Sequence, residues 1–367
     1  MNRRTFLAAS AVAAGCGRSL ATRYFGWLFV ASSTEHSVAI ADLASFRRTG
    51  SIALPQAPAQ VLRAGNRVFV TCPEAHAIFE IDTAHHQLAG KIGIPGRLVS
   101  AAPVPGHDNW IAAALDESPA LVVVDTVAKR VIRRVSLPSA PGVMDVNAGS
   151  AAVASASDGA ITRVSLNDGK VSGTTPVGSH CSALRFRSDG EAILAGLTDV
   201  KQVATVDSGS GALLARMPLP FAPAQFCFNP DGGQMFVTGS AEDSIAIVSA
   251  YQSQVDQTIV AGRTPSGMAV ADSRNLLLVT NPASGDLTIL DIETRRLAAS
   301  VHVGGNPGEV LLTPDGEYAL VVSRDSGDVS VVRLNTVLDR KIKTKPLFTV
   351  FPMAAAPSSA AIIPKES

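Results

Sequence analysis

Cysteine is scarce in this sequence of 367 residues, and its four copies lie far apart. They are Cys16, Cys72, Cys181 and Cys227, with no Cys-x-x-Cys pair and no Cys-x-x-Cys-His motif. The spacing therefore excludes a disulfide framework, a zinc knuckle and covalently attached haem. For the cysteines of the folded domain we expect buried free thiols.

Charge is sparse as well. Charged residues make up 17% of the chain, the formal net charge is zero, and no basic tract is long. Because nonspecific binding to nucleic acid depends on a surplus of basic side chains, we expect no nucleic-acid partner. Aromatic residues are only 5% of the chain, whereas hydrophobic residues are 46%. A large core packed by aliphatic side chains is therefore expected.

The N-terminus has the features of an export signal. A twin arginine followed by Phe-Leu lies within Asn2–Leu7, and the apolar run Leu7–Gly15 follows it. This run is too short to span a bilayer as a helix, and the pattern resembles a Tat signal peptide. We expect the mature protein to leave the cytoplasm already folded.

The apolar run ends in Ala-Ala-Gly-Cys, which looks like a bacterial lipobox with Cys16 as the lipidated residue. We therefore expect a signal peptide at 1–16, a linker at 17–26 and a membrane anchor through Cys16. The alternative is cleavage at a nearby small residue, which would give a soluble periplasmic protein. Both predict an exported protein of the bacterial cell envelope, either periplasmic or a membrane-anchored lipoprotein.

A repeat of 42 residues runs through the C-terminal half. Pro265 and Pro307, and likewise Asp286 and Asp328, are 42 positions apart. A second landmark is the end of an apolar segment, which recurs eight times at intervals of 40 to 43 residues. These ends are Asp42, Asp82, Asp125, Ser165, Asp207, Ser249, Asp291 and Arg333. Periods of about 40–45 residues with several short strands in each unit are typical of a β-propeller.

Each unit is interpreted as four antiparallel strands, named a to d in chain order. The strands predicted for one unit are Ala224–Phe228, Met235–Gly239, Ser244–Ser249 and Gln254–Val260. Asp-Gly pairs in the turns supply the positive φ that tight hairpins require. We predict an all-β fold with one propeller domain over 27–364. The count gives eight blades, and seven blades is the alternative.

The two chain ends predict how the ring closes. The first unit begins with strand b at Trp27–Ala31, and no strand a precedes it. The C-terminus holds a surplus segment, Ser359–Ile363, which resembles the start of a unit. We expect this segment to be strand a of the first blade, because closure removes the exposed edges of a linear array. Residues 365–367 are then a short tail.

The motifs Leu278-Val-Thr-Asn281 and Phe236-Val-Thr-Gly239, with Pro-Asp-Gly turns and Gly-x-x-Pro unit starts, resemble the YVTN β-propeller repeat family. This family is similar to the propellers of the quinoprotein amine dehydrogenase-like group. The resemblance implies the propeller fold and an envelope or extracellular setting. It implies no single activity, because a propeller is a scaffold that hosts many functions.

One insertion interrupts the last unit. Residues 335–346 separate its strands c and d, and they contain four basic residues, Arg340, Lys341, Lys343 and Lys345. A solvated loop is the ordinary interpretation of such a charge run. The alternative is a small basic contact for anionic lipid head groups or for an acidic partner.

Candidate binding residues come from the connections between blades. The d-to-a links and b-to-c turns share one face, and the links point at the mouth of the central channel. Most of the links contain Ala, Pro, Gly or Ser. The polar exceptions, predicted as ligand-binding residues, are Gln60, Arg97, His180, Gln225, Arg263, Asn306 and Glu309.

No catalytic cluster is evident among these residues. His180 and Cys181 are adjacent, and neighbours on a strand point to opposite faces, so a catalytic pair is not expected. Glu309 and Asp145 on inner strands, with Asn306, provide too few oxygen ligands for a hard cation. The sequence therefore predicts no catalytic residue, no metal site and no cofactor.

Two functions follow from these observations. The first is an exported, lipid-anchored binding scaffold that presents the channel-mouth face to an unknown protein or small ligand. The second is a propeller enzyme, either a lactonase-like hydrolase or a dehydrogenase-type subunit, with its site at the channel mouth. The absence of a catalytic cluster favours the scaffold.

Overall fold

The computed structural model describes residues 24–239, 242–338 and 345–365. The predicted signal peptide, Cys16 and most of the predicted linker lie outside these residues, as do the last two residues of the tail. The described chain forms eight sheets of four antiparallel strands. The eight-bladed propeller is therefore confirmed, and the seven-bladed alternative is wrong.

The strands follow the repeat closely. Blades 1 and 2 contain β1 (Gly26–Ser32), β2 (Ser37–Asp42), β3 (Arg47–Ala53), β4 (Gln60–Ala64), β5 (Arg67–Cys72), β6 (Ala77–Asp82) and β7 (Gln87–Gly93). Blades 3 and 4 contain β8 (Leu98–Val104), β9 (His107–Leu115), β10 (Ala120–Asp125), β11 (Arg130–Ser136), β12 (Pro141–Asn147), β13 (Ser150–Ser155), β14 (Ala160–Ser165) and β15 (Lys170–Pro176).

The second half continues in the same order. Blades 5 and 6 contain β16 (Cys181–Phe186), β17 (Ala192–Leu197), β18 (Gln202–Asp207), β19 (Leu213–Pro218), β20 (Pro223–Phe228), β21 (Gln234–Gly239), β22 (Ser244–Ser249) and β23 (Gln254–Val260). Blades 7 and 8 contain β24 (Met268–Ala271), β25 (Leu276–Asn281), β26 (Asp286–Asp291), β27 (Arg296–His302), β28 (Pro307–Leu312), β29 (Tyr318–Ser323), β30 (Asp328–Arg333) and β31 (Leu347–Pro352). The last strand is β32 (Pro357–Pro364).

Short helical turns occur in the connections at Pro73–Ala75, Asp272–Arg274 and Asn335–Leu338. The last of these opens the predicted insertion, half of which (339–344) lies outside the described residues. The Asp-Gly hairpins form as expected, because Gly190, Gly232 and Gly316 all have φ near +70°. No helix in the described parts of the chain is long and apolar enough to cross a membrane.

The C-terminal strand closes the ring. β32 pairs with β1 along its length, with Trp27 opposite Ile363 and Phe29 opposite Ala361. The resulting sheet has the order β3-β2-β1-β32, so the last strand takes the innermost place in the first blade. Each innermost strand then packs against that of the next blade around the full circle. The predicted closure is confirmed, and the strand is longer than predicted.

The core is divided among the blade interfaces. Eight clusters of buried aliphatic side chains each lie between two neighbouring blades. Strands b and c are buried on both faces, as in β25, where all six residues are buried. The outermost strands instead expose most of their residues, as in β3, where only Ile52 is buried. Since hydrophobic burial is the main stabilising term in folding, each blade depends on both of its neighbours.

Three arginines tie neighbouring blades together through backbone carbonyls. Arg67 donates to the Thr126 carbonyl at 3.1 Å, Arg163 to the Ser208 carbonyl at 2.9 Å, and Arg274 to the Gly316 carbonyl at 3.0 Å. In each pair the acceptor lies in a turn of the next blade. The planar guanidinium suits this role because it offers several donors in fixed directions.

We expect Ile363→Ala to lower the free energy of unfolding by about 2–5 kcal/mol, because Ile363 is 2% exposed within the closing strand. The matched control is Val350→Ala on an outermost strand, where the side chain is 46% exposed, and it should change stability by less than about 0.5 kcal/mol. Urea unfolding followed by circular dichroism measures both variants. Equal effects would contradict the closed ring.

Candidate functional site

The channel wall alternates between large and small side chains. At the equivalent position of the innermost strand, blades 2, 4, 6 and 8 carry the larger residues Gln60, Val143, Gln225 and Glu309. Blades 1, 3, 5 and 7 carry the smaller residues Ser359, Ser100, Ala183 and Gly267. Alternation of this kind lets the large side chain of one blade fit beside the small side chains of its neighbours around a narrow interior. Three of the four larger residues are polar and can form hydrogen bonds.

Polar side chains on the channel wall also link adjacent innermost strands. Gln60 Oε1 accepts a hydrogen bond from Ala101 N at 3.1 Å, and Glu309 Oε2 accepts one from Ala360 N at 2.7 Å. Ser359 Oγ accepts the equivalent bond from Val61 N at 3.2 Å. In each case the donor belongs to the next blade. The predicted ligand residues Gln60 and Glu309 therefore already hold the ring together through one oxygen each.

Glu309 lies in an unusual electrostatic environment for a carboxylate. Burial raises its pKa to about 7, and the hydrogen bond from Ala360 opposes that rise. Burial in the channel wall removes most of the water from around the carboxylate, so its charged form is poorly solvated and disfavoured. Near neutral pH this group can therefore either hold or release a proton inside the channel.

An ion pair on the channel wall was missed by the sequence reasoning. Asp145 on β12 accepts from Arg185 Nη1 at 2.9 Å and from Phe186 N at 2.7 Å. From the sequence, Asp145 is predicted only as a possible metal ligand, and Arg185 has no predicted role. These two residues are 40 positions apart, in register with the repeat, where the other units have Leu, Ala or Cys. This contrast with the other units is the sequence signal from which the ion pair could have been predicted.

The remaining predicted residues lie at the mouth of the channel, and several are held by acids of the b-to-c turns. Arg97 pairs with Asp116, and it is also 3.8 Å from Glu74. Asn306 Nδ2 donates to Asp325 Oδ1 at 3.0 Å. His180 donates from its backbone nitrogen to Asp199 Oδ2 at 3.1 Å. Each link is thereby fixed by the turn of its own blade.

Two predicted residues remain open to solvent. Arg263 is exposed on its link, and Gln225 is exposed on β20. The Gln225 side-chain amide bonds to no other residue among those that the structure describes. The structure thus places the seven candidates around one face and channel, but it does not bring them into one compact cluster.

Adjoining cavities lie along this face, which we call the groove face and define by the d-to-a links and b-to-c turns. A cavity of about 300 Å³ in the channel is bordered by Gln60 and Gln225 and contains Asp145 and Arg185. A second of about 500 Å³ shares Ser100, Val143, Met144 and Ser182 with it and reaches His180. A third of about 440 Å³ lies beside Arg97 and shares Val99 with the second.

The thiols near these cavities are not activated. Burial raises the pKa of Cys181 to about 12 and that of Cys227 to about 11, so both stay protonated at neutral pH. Cys181 is buried and donates to the Ala183 carbonyl, whereas His180 is exposed. The two side chains therefore do not form a nucleophile and base.

Metal-ligating side chains do not converge in the described residues. Over 24–239, 242–338 and 345–365 no three His, Cys, Asp or Glu side chains lie close enough to hold an ion. Of the adjacent histidines, His85 pairs with Asp82 at 2.8 Å and His86 packs edge-on against Trp27. The two imidazole rings thus have different partners.

Comparisons with known proteins support the propeller fold. A 142-residue segment is 23% identical to a seven-bladed β-propeller protein of Mycobacterium tuberculosis, and it covers 37% of this chain and 36% of that protein. The match therefore spans about a third of the curated relative. No family model matches the chain, so membership of the YVTN family stays a prediction.

Solved structures resemble the fold over most of the chain. The dihydro-heme d1 dehydrogenase NirN superposes with a TM-score of 0.75 at 16% identity, over 94% of this chain and 76% of that one. A candidate 6-phosphogluconolactonase of Bacteroides fragilis gives 0.59 at 15% identity, over 83% and 97%. Hydrazine synthase of Kuenenia stuttgartiensis gives 0.59 at 18% identity, over 75% and 95%. At such identities the likeness concerns the fold alone.

We expect Glu309→Gln to remove a pH dependence of stability. The folded pKa of about 7 exceeds the usual 4.5, so ionisation of Glu309 disfavours the folded state. That cost is absent below pH 4.5, grows as the pH rises to 7, and is complete above 7. The variant keeps the acceptor for Ala360 N, so its advantage over the wild type should reach on the order of 3 kcal/mol at pH 8.

Chemical unfolding at pH 4.5, 6 and 8 measures this difference. Glu293→Gln, on an exposed turn, is the control and should show no such trend. A constant difference between Glu309→Gln and the wild type across the three pH values would contradict the assignment.

Proposed function

We propose that the protein is an exported binding module of the bacterial cell envelope, tethered at its N-terminus and offering the groove face to a partner. The observation that carries this proposal is that the N-terminal end of the described chain and the cavities lie on opposite faces of the ring. The described chain starts at Tyr24 on the face formed by the a-to-b and c-to-d turns, opposite the groove face. A lipid on Cys16 would therefore leave the adjoining cavities pointing away from the membrane.

Two further features support this orientation. The insertion at 335–346 is a c-to-d connection, so it leaves and re-enters the blade on the same face as the N-terminus. Exposed Lys345 adds positive charge on that side, whereas the charge of Lys365 is balanced by its ion pair with Asp42. Anionic lipid head groups attract basic residues close to the surface. The YVTN-type resemblance and the export signal agree with this placement.

The groove face has the character of a recognition surface. It combines an exposed apolar side chain, Val99 at 43%, with polar groups already fixed by neighbouring turns, such as Arg97 and Asn306. Rigid polar groups around apolar patches reduce the entropy lost on association. A partner protein or a small ligand would therefore meet a preformed surface.

We expect Cys16→Ala to move the protein from the membrane fraction to the soluble periplasmic fraction, because the variant cannot receive the lipid. Fractionation of cells expressing the full chain, followed by immunoblotting, measures this. Cys72→Ala provides the control, since Cys72 is a buried thiol of the propeller. Soluble wild-type protein, or a membrane-bound Cys16→Ala variant, would contradict the tether.

A photo-crosslinking residue at position 99 should capture one defined partner in intact cells. The same residue at position 260 is the control, because Val260 is 75% exposed on an outermost strand and lines none of the three cavities. Ala156→Trp, which fills the cavity of about 500 Å³, should abolish the product at position 99. Products that are equal at 99 and 260, or insensitive to Ala156→Trp, would contradict a groove-face partner.

The second candidate function is an enzyme with its site at the channel mouth. The observation that favours it is the Asp145–Arg185 pair in the cavity of about 300 Å³, with the ionisable Glu309 elsewhere on the channel wall. Metal analysis and an absorption spectrum of the native protein test it. Stoichiometric Ca²⁺, Mn²⁺ or Zn²⁺ would support a hydrolase, and a chromophore would support a dehydrogenase-type subunit. The absence of both would count against the enzyme.

A further inference from the structure

Arg185 combines an oriented guanidinium with free donors inside a cavity. Its Nη1 is held by Asp145, while Nε and Nη2 donate to no other residue in the described parts of the chain. The Arg185 side chain is 53% exposed and that of Asp145 is 15% exposed. The buried acid therefore fixes the arginine, and the remaining edge of the guanidinium faces the cavity.

Asp145 is already engaged by its neighbours. One of its oxygens accepts from Arg185, and the other accepts from Phe186 N on the same strand as Arg185. With both oxygens engaged and its side chain only 15% exposed, Asp145 offers little free surface to a ligand. The group that can bind something new is the arginine, and the negative partner serves to position it.

The surroundings of Arg185 suit a small molecule with one polar end. The cavity of about 300 Å³ also contains the exposed amide of Gln225 from the next blade and Gln60 at its far side. Its partly exposed apolar lining includes Ala102, Val143 and Met144. This volume lies at the lower limit for small-molecule pockets, so it suits a small ligand and not a folded segment of a protein.

We infer that this cavity is a binding site for a small carboxylate, whose oxygens pair with the free edge of Arg185 while its apolar part packs against Ala102 and Val143. Guanidinium and carboxylate match in planar geometry and can form two parallel hydrogen bonds. Gln225 supplies a neutral donor beside them. The inference rests on the proposed binding module and names the chemical class of its small ligand.

The test uses the mature full-length chain and pairs of isosteric probes. Benzoate and benzamide form one pair, hexanoate and hexanamide a second, and inorganic phosphate is a separate arm. Affinities come from isothermal titration calorimetry, with thermal shift as a second readout. We expect at least one carboxylate to bind about tenfold or more tightly than its amide, since a hydrogen bond to a charged group contributes about 1.5–3 kcal/mol.

Variants separate binding from stability. Arg185→Gln should weaken carboxylate binding about tenfold or more and leave amide binding unchanged. Arg185→Lys keeps the charge but lacks the planar fork, so it should lose part of the affinity and serves if Arg185→Gln does not fold. Arg296→Gln, at an exposed arginine of β27, is the matched control and should bind like the wild type.

The variant Asp145→Asn tests whether Asp145 orients Arg185 or only lies beside it. If Asp145 acted only through its negative charge, removal of that charge would strengthen carboxylate binding. Positioning predicts weaker binding, because Arg185 loses the partner that orients it, and this is the result we expect.

Four outcomes would overturn the inference: equal binding of carboxylate and amide, no binding of any carboxylate, full retention of binding in Arg185→Gln, or binding of phosphate alone. None of these would affect crosslinking at position 99, because Val99 does not line this cavity. Loss of crosslinking with intact carboxylate binding would instead overturn the partner surface alone.

Discussion

The pairing of β32 with β1 is the contact on which the molecule depends. Every other blade is made from one continuous stretch of chain, whereas the first is made from both ends. Without that pairing, the innermost place of blade 1 would be empty and the hydrophobic clusters on either side of it would lose their contacts with the closing strand. The channel would then be open on one side. The cavities, the inter-blade hydrogen bonds and the fixed positions of the links all presuppose the closed circle.

The repeat explains why the fold was predictable. A period of about 42 residues is visible because every unit must bury two middle strands between its neighbours and connect its strands by tight turns, several of which contain Asp-Gly pairs. In the unit from Pro223, the predicted strands Ser244–Ser249 and Gln254–Val260 have the observed bounds. The first strands are observed one residue longer, from Pro223 and from Gln234. The burial pattern and the turn residues are local features, so each unit shows them in its own sequence.

The candidate site was harder to predict because its contacts cross between units. Arg97 and Asn306 were chosen for their place in links, and the structure shows that acids 19 residues further along hold them. The Asp145–Arg185 pair spans two blades, and neither residue is distinctive within its own segment. Gln60 and Glu309 were selected as ligand residues, yet one oxygen of each serves the ring itself. The acid-to-link contacts recur in several blades, but the sequence does not reveal which polar groups they leave available.

The alternation of large and small residues around the channel has a consequence for how many blades the ring can gain or lose. Odd-numbered and even-numbered blades are not interchangeable at their innermost strands, although their outer strands are alike. Loss of a single blade would place two bulky residues side by side, or two small ones, and would leave either a clash or a gap on the axis. Removal of two consecutive blades would preserve the pattern. Growth or shrinkage of this ring by duplication or deletion is therefore constrained to steps of two, with parity set by side-chain volume.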